Sequence, residues 1–269
     1  VKGADADIKA IVSRSRGVAD GMSKGIQFLF KKNKIDLIKG FAKLAKGKKM
    51  MVTDESGVTT EVTATNIIIA TGGRSKELPN LPQDGKKIIG YREALVLDKQ
   101  PKKMVIVGSG AIGVEFAYYY NAIGTEVTVV EYLPNIVPNE DVDVSKALAK
   151  EFKKKGINIM TNSAVESVDT SGKTNKVKIK TKKGEEIIEC DVVLSAVGVS
   201  TNIEGIGLED AGVKTDKGRV LVDDYYQTNV PGVFAIGDIV KGPALAHVAS
   251  AEGIICVEKI AGLDVEPLN

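Results

Sequence analysis

Three glycines, Gly108, Gly110 and Gly113, stand between an apolar run and a helical pattern in residues 102–115, KKMVIVGSGAIGVE. That arrangement suits a dinucleotide. The first glycine permits a tight turn, the second lets backbone approach a pyrophosphate, and the third lets helix pack closely on strand, with the helix N-terminus facing the phosphates. Ser109, Ala111 and Ile112 complete the loop, and Glu115 lies on the helix it opens, whose pattern runs through Val114, Ala117, Tyr118 and Asn121. A second strand pattern, 126–131, ends on Glu131, about 18 residues beyond Gly113 and near the spacing of a carboxylate that holds a ribose hydroxyl pair. No Arg or Lys follows in Tyr132, Leu133 and Pro134, and a 2′-phosphate beside the carboxylate would be repelled, so the pattern favours NAD over NADP. The competing reading is a glycine-rich strand-to-helix turn without a ligand and a merely solvated Glu131.

The rest of the chain must hold this loop in place. Its 269 residues allow one large domain or two ordinary ones, and 43% hydrophobic with 27% charged residues is a globular balance. A net charge of +2 offers no broad basic field for nucleic acid or an anionic membrane. The lysines at 31, 32 and 34 and at 153–155 read as solvated helix ends. No apolar run approaches the roughly 20 residues that span a bilayer, and no signal-peptide pattern opens the sequence, so the default expectation is cytoplasmic. Cys190 and Cys256 form neither a CxxC pair nor a zinc set and read as small buried hydrophobes. No metal site is expected.

Two segments repeat one theme. Residues 177–190, VKIKTKKGEEIIEC, form a hairpin pattern turning near Lys183 and Gly184, followed by a buried strand, DVVLSAVG. Residues 49–62, KMMVTDESGVTTEV, do the same with a turn near Ser56 and Gly57, followed by NIIIATG. The later copy closes a domain that GSGAIG opens. The earlier copy has no such opening before it: residues 1–30 read as an amphipathic helix with Ile8, Ile11, Val12, Val18, Ile26 and Leu29 on its apolar side. The first residue is Val, which fits a fragment and equally a processed terminus. A third segment, 220–251, returns to the first domain. Within it TNVPGVFAIGD (228–238) reads as a Pro-Gly turn, a short strand at 233–236, then Gly237 and Asp238 at the strand end. Asp238 either reaches a ligand hydroxyl there or caps backbone N–H groups near Gly242. A helix is expected from about Ala244, with Pro243 at its start and Gly262 past its end.

Three blocks, IIIATGG at 67–73, GSGAIGVE at 108–115 and TNVPGVFAIGD with GPALAH at 228–247, resemble the flavoprotein disulfide reductases, most of all their dihydrolipoamide dehydrogenase branch. The similarity continues through the final EGIICVEKIAG. It implies an α/β fold of two Rossmann-like, three-layer FAD/NAD(P)-binding domains, with the NAD domain inserted in an incomplete FAD domain. The implied boundaries are 1–98 for part of the FAD domain, 99–200 for the NAD domain and 201–269 for the return of the FAD domain. The implied cofactors are NAD and FAD: the nicotinamide exchanges hydride with the flavin, and the flavin exchanges electrons with a cysteine disulfide. In the family that disulfide oxidises dihydrolipoyl groups of 2-oxo acid dehydrogenase complexes, which with a second copy of the chain would be the partners; neither nucleic acid nor membrane is implied. By position, Thr71, Gly72 and Gly73 would contact FAD, Asp238 its ribityl chain, and Leu245, Ala246 and His247 the region of the isoalloxazine. Glu115 would stand beside the flavin, or is an ordinary helix carboxylate. Gly198 and Val165 would line the NAD site with Gly108, Ser109, Gly110, Ala111, Ile112, Gly113, Glu115 and Glu131.

The departures matter too. The family's first GxGxxG, its redox cysteine pair and its C-terminal interface domain with a His-Glu proton-transfer pair have no counterpart in this sequence. His247 is the only histidine and belongs to the LAH block, so it is not that base, and Ala244 replaces a common methionine. The expectation is a middle fragment that holds cofactor-binding residues and no catalytic ones, and is itself inactive. Mercuric reductase and flavin-dependent NADH oxidases share the same blocks, whereas Glu131 opposes the NADP preference of glutathione reductase. A redox-silent NAD-binding module would explain GSGAIG but not the FAD-like blocks flanking it. A short-chain dehydrogenase needs Lys four residues after a Tyr, and none of the 7 tyrosines has it.

Overall fold

Short runs of Val, Ile and Leu favour buried parallel strands. In the computed structural model, which describes residues 5–268, five such runs form one parallel sheet. Its order is Ile88–Ile89, Val192–Ser195, Lys103–Val107, Glu126–Val130, Asn158–Met160. From Lys103–Val107 the chain travels outward in one direction to Asn158–Met160 and then returns to the other side as Val192–Ser195. The strand order therefore reverses between Lys103–Val107 and Val192–Ser195, which is where open α/β sheets bind ligands at their carboxyl ends.

One face of this sheet carries the helices Ala111–Ala122 and Val142–Lys154 over a core of Met104, Ile106, Ala117, Tyr120, Val129 and Phe152. Tyr120 is fully buried and its hydroxyl donates to the Ala94 carbonyl at 2.5 Å. The other face carries an antiparallel meander, Ala164–Asp169, Asn175–Thr181 and Gly184–Cys190, whose Val177 and Ile179 join Val105, Val107 and Val193. The layers are thus helix, parallel sheet and meander. Both buried thiols are unpaired, and burial pushes Cys190, like Cys256, up to about 11.

The described residues divide into two compact units, 5–28 with 75–199 and 29–74 with 200–268. The first is the three-layer unit just described. Residues 75–98 supply it with the edge strand Ile88–Ile89 and the short helix Tyr91–Ala94. The second has its own meander, Phe41–Ala45, Lys49–Thr53 and Thr59–Thr63, a parallel pair of Ile67–Ile69 and Val233–Ala235, and the helix Ala246–Ile260. Leu44, Ile67, Ile69, Ile206, Leu208, Val233 and Ile239 form its core.

Both expected hairpins are three-stranded. Their extra strands, Phe41–Ala45 and Ala164–Asp169, carry Lys, Ala, Glu and Ser, which weaken the β-branched signal. The long helix runs Ile8–Lys32; the expected residues 1–4 lie outside the described residues. Its apolar side is covered only near its start, where Ile8 and Val12 join the helical-face core, while Val18, Ile26 and Leu29 are about half exposed. The last helix starts two residues later than expected: Leu245 is extended and Ala246 is the first helical residue. The lysine clusters are exposed.

The strand-to-helix turn after Lys103–Val107 depends on two close approaches. Gly108 has φ +96° and a Cβ there would lie 2.5 Å from the Ala196 carbonyl oxygen; a Cβ on Gly113 would lie 2.1 Å from the Gly108 carbonyl oxygen. Rigid backbone opposes both. Gly113→Ala is expected to cost at least about 2 kcal/mol of stability in urea unfolding, whereas Gly110→Ala should cost under about 1 kcal/mol because nothing lies within 4 Å of its Cβ position.

Candidate functional site

In the first unit the loop residues gather at the strand order's reversal. Gly110 is the N-cap of Ala111–Ala122 in extended backbone, no side chain caps that helix, and the space beside Gly110 is open. Backbone N–H groups with a helix dipole behind them, facing open space, are what an anionic pyrophosphate requires. Ala111 is exposed beside them and Ile112 packs into the helical-face core. Gly198, φ +111°, is exposed just beyond Val192–Ser195 at the same edge.

Glu131 follows directly on Glu126–Val130 and is 7% exposed, so it is not the solvated side chain of the competing reading. Its Oε2 accepts hydrogen bonds from Ser109 N at 2.9 Å and Ser109 Oγ at 2.6 Å. Its Oε1 accepts from Leu133 N at 2.8 Å. A buried carboxylate needs such donors. Val165 lies apart in the meander, at a bulge, with its carbonyl accepting from Asn80 Nδ2 at 2.8 Å. Glu115 is exposed at a cavity of about 260 Å³ lined by Ile11, Val12, Ala94, Leu95, Phe116 and Tyr119.

In the second unit, Ile67–Ile69 and Val233–Ala235 are parallel neighbours, so their carboxyl ends lie side by side, tied by Ile236 N to Ile69 O at 3.0 Å. Thr71, Gly72 and Gly73 follow one, Gly237 and Asp238 the other. Asp238 Oδ2 would be 3.2 Å from a Cβ on Gly73, so glycine there leaves room for the carboxylate. The cap reading of Asp238 does not hold: no side chain caps the helix Ala246–Ile260 that follows Gly242, nor the turn Gly237–Ile239 that contains Asp238. Thr71 Oγ1 donates to the Asn202 carbonyl at 2.7 Å, and Asn202 N donates to Gly72 O at 2.9 Å, so the threonine hydroxyl is taken up within the unit. Leu245, Ala246 and His247 are exposed at the uncapped start of Ala246–Ile260.

Sequence reasoning missed Glu252. It is 4% exposed, and its Oε2 accepts from Gly237 N at 2.6 Å, bracing the turn that presents Asp238. One signal was available: Glu252 falls one helical turn before buried Cys256, on the apolar face of its helix. Burial raises its carboxyl above the ordinary 4.5, the Gly237 hydrogen bond opposes this and the nearby Asp238 adds to it.

Residues 2–253 match the family model described as pyridine nucleotide-disulphide oxidoreductase. The chain belongs to that family. It is 45% identical to a dihydrolipoyl dehydrogenase of Rhizobium etli, over 98% of this chain and 58% of that protein. A dihydrolipoyl dehydrogenase of Zymomonas mobilis is 43% identical, over 98% and 57%. The crystal structure of LpdA from Mycobacterium tuberculosis superposes with a TM-score of 0.92 at 28% identity, covering 100% of this chain and 59% of that one. The expected α/β fold of the family is therefore the observed one. The chain spans a little over half the length of the curated relatives it matches. Among the described residues no helix is long and apolar enough to cross a membrane.

Because its folded-state pKa is raised, Glu252 favours the fold when protonated, a contribution full below about 4.5 and lost as pH rises through the higher folded value. Glu252→Gln should keep an acceptor for Gly237 N and flatten the pH dependence of unfolding between pH 4 and 8. Glu252→Ala should lose about 1–3 kcal/mol by leaving that N–H unpaired. Urea titrations across that range check both; an unchanged slope in the Gln variant would rule out the titration.

Proposed function

We propose that this chain is the nucleotide-binding centre of a dihydrolipoyl dehydrogenase, with NAD held by the first unit and part of the FAD site formed by the second. The observation that carries the reading is the uncapped helix N-terminus at the strand reversal, with open space at Gly110 and buried Glu131 beside it. The identity to dihydrolipoyl dehydrogenases over nearly the whole chain supports it.

The division of labour follows from the residues. Gly108 and Gly113 bring the helix start close to the sheet, Gly110 leaves room for a pyrophosphate, and Glu131 offers a carboxylate to ribose hydroxyls while repelling a 2′-phosphate. On the second unit Gly72, Gly73 and Asp238 would face a flavin chain, with Thr71 contributing backbone, and the start of Ala246–Ile260 would offer N–H groups near Leu245, Ala246 and His247. Flavin and nicotinamide together supply two-electron transfer when bound. Val165 and Gly198 would bound the nicotinamide nucleotide. Thiol-disulfide exchange requires residues outside these 269, because Cys190 and Cys256 are buried. In the whole protein the partners would be a second copy and lipoyl-bearing 2-oxo acid dehydrogenase complexes, and free, unpaired thiols fit a reducing cytoplasm.

Fluorescence titration of the purified chain should give tighter binding of NADH than of NADPH. Glu131→Ala should weaken NADH by about 1.5–3 kcal/mol and narrow the preference. Gly110→Val should fold, since its backbone is extended and its surroundings open, yet bind neither nucleotide. Equal NADH and NADPH affinities for the unaltered chain would sink the NAD reading.

A further inference from the structure

Ser109 is fully buried, and every polar group it has is engaged within the first unit. Its N and Oγ donate to the same oxygen of Glu131, and its carbonyl accepts from Val137 N at 2.9 Å. Val137 lies at φ +40°, a left-handed conformation that a β-branched residue resists. Such strain persists only where neighbours over-determine it. Here Ser145, itself buried, donates its hydroxyl to the Val137 carbonyl at 3.4 Å, and Glu140 N donates to that carbonyl at 2.9 Å. The segment after Glu126–Val130 is thereby fastened to the glycine loop at two points, both of them on Ser109.

We infer that the Ser109 hydroxyl is a specificity-determining positioning group, which pins the Glu131 carboxylate and so sets the discrimination between NADH and NADPH. This rests on the proposed NAD site. A carboxylate has about four acceptor positions, of which the protein fills three, leaving a position on Oε1 for a ribose hydroxyl. Two donors on Oε2 stop the carboxylate from swinging aside. A 2′-phosphate must therefore meet the negative charge, rather than displace it. Ser109 N, given over to Glu131, is also withdrawn from the pyrophosphate, which leaves the phosphate to the N–H groups from Gly110 onward. Once the hydroxyl is gone, each carboxylate oxygen keeps one backbone donor only, Ser109 N on Oε2 and Leu133 N on Oε1, and the carboxylate is free to tilt between them.

The test is titration of the full chain and its variants with NADH and with NADPH, alongside thermal melting. Ser109→Ala should reduce the NADH-to-NADPH affinity ratio about tenfold, as expected for losing a hydrogen bond to a charged group. Introduced into Glu131→Ala, the same change should leave the ratio within twofold, because the hydroxyl acts through the carboxylate. A merely structural serine would lower melting temperature in both backgrounds without moving the ratio. Ser109→Cys, of similar size and with a weak donor, gives the same readout should the alanine variant fail to fold. An NADH preference in the unaltered chain that survives Ser109→Ala and Ser109→Cys overturns the inference alone. No preference in the unaltered chain overturns the NAD site, and the inference with it.

Discussion

The first unit depends on how closely one helix approaches one strand. With no side chain on Gly113, the helix Ala111–Ala122 comes so near the Gly108 carbonyl that a single added carbon would sit 2.1 Å from it. That separation sets the tilt at which the helix start meets the sheet's carboxyl edge. Gly108 N in turn donates to the Val130 carbonyl of the adjoining strand, so the residue after that strand, Glu131, arrives beside Ser109 without any adjustable linker. One backbone contact thus propagates into the placement of a carboxylate on a different strand. The surrounding core of Met104, Ile106, Ala117 and Val129 holds the layers at the spacing that contact requires.

The second unit solves a comparable problem with different means. Its two parallel strands end in glycine-bearing turns rather than in a glycine-rich loop, and the turns are steadied from below by polar groups: Asn202 beneath Thr71 and Gly72, Glu252 beneath Gly237. Turn geometry there is set by side chains that a ligand need not touch. Changes in these braces would move Thr71, Gly72 and Asp238 while leaving those residues themselves intact.

Much of this was legible in the residues. The parallel strands could be read because their runs of Val and Ile have no helical spacing, and the glycine loop because each of its three glycines answers a distinct steric demand. Gly237 and Asp238 could be placed at a strand end, though not assigned a role, because a short polar side chain after a strand serves equally as cap or contact. What escaped was polar and long-range. Nothing local pairs Ser109 with Glu131, 22 positions on, or Gly237 with Glu252, 15 positions on. Phe41–Ala45 and Ala164–Asp169 were hidden because edge strands of a small meander tolerate Lys, Glu and Ala. The half-covered helix Ile8–Lys32 shows the opposite failure, since periodicity marks a face as apolar without saying what lies against it.

The two buried thiols have a consequence for a family whose electrons travel by sulfur exchange. With burial pushing both up to about 11, both stay protonated at neutral pH, and neither is open to solvent. The scaffold is therefore chemically silent toward disulfides and alkylating reagents. A reagent or disulfide that seeks a thiolate finds no accessible nucleophile at either position.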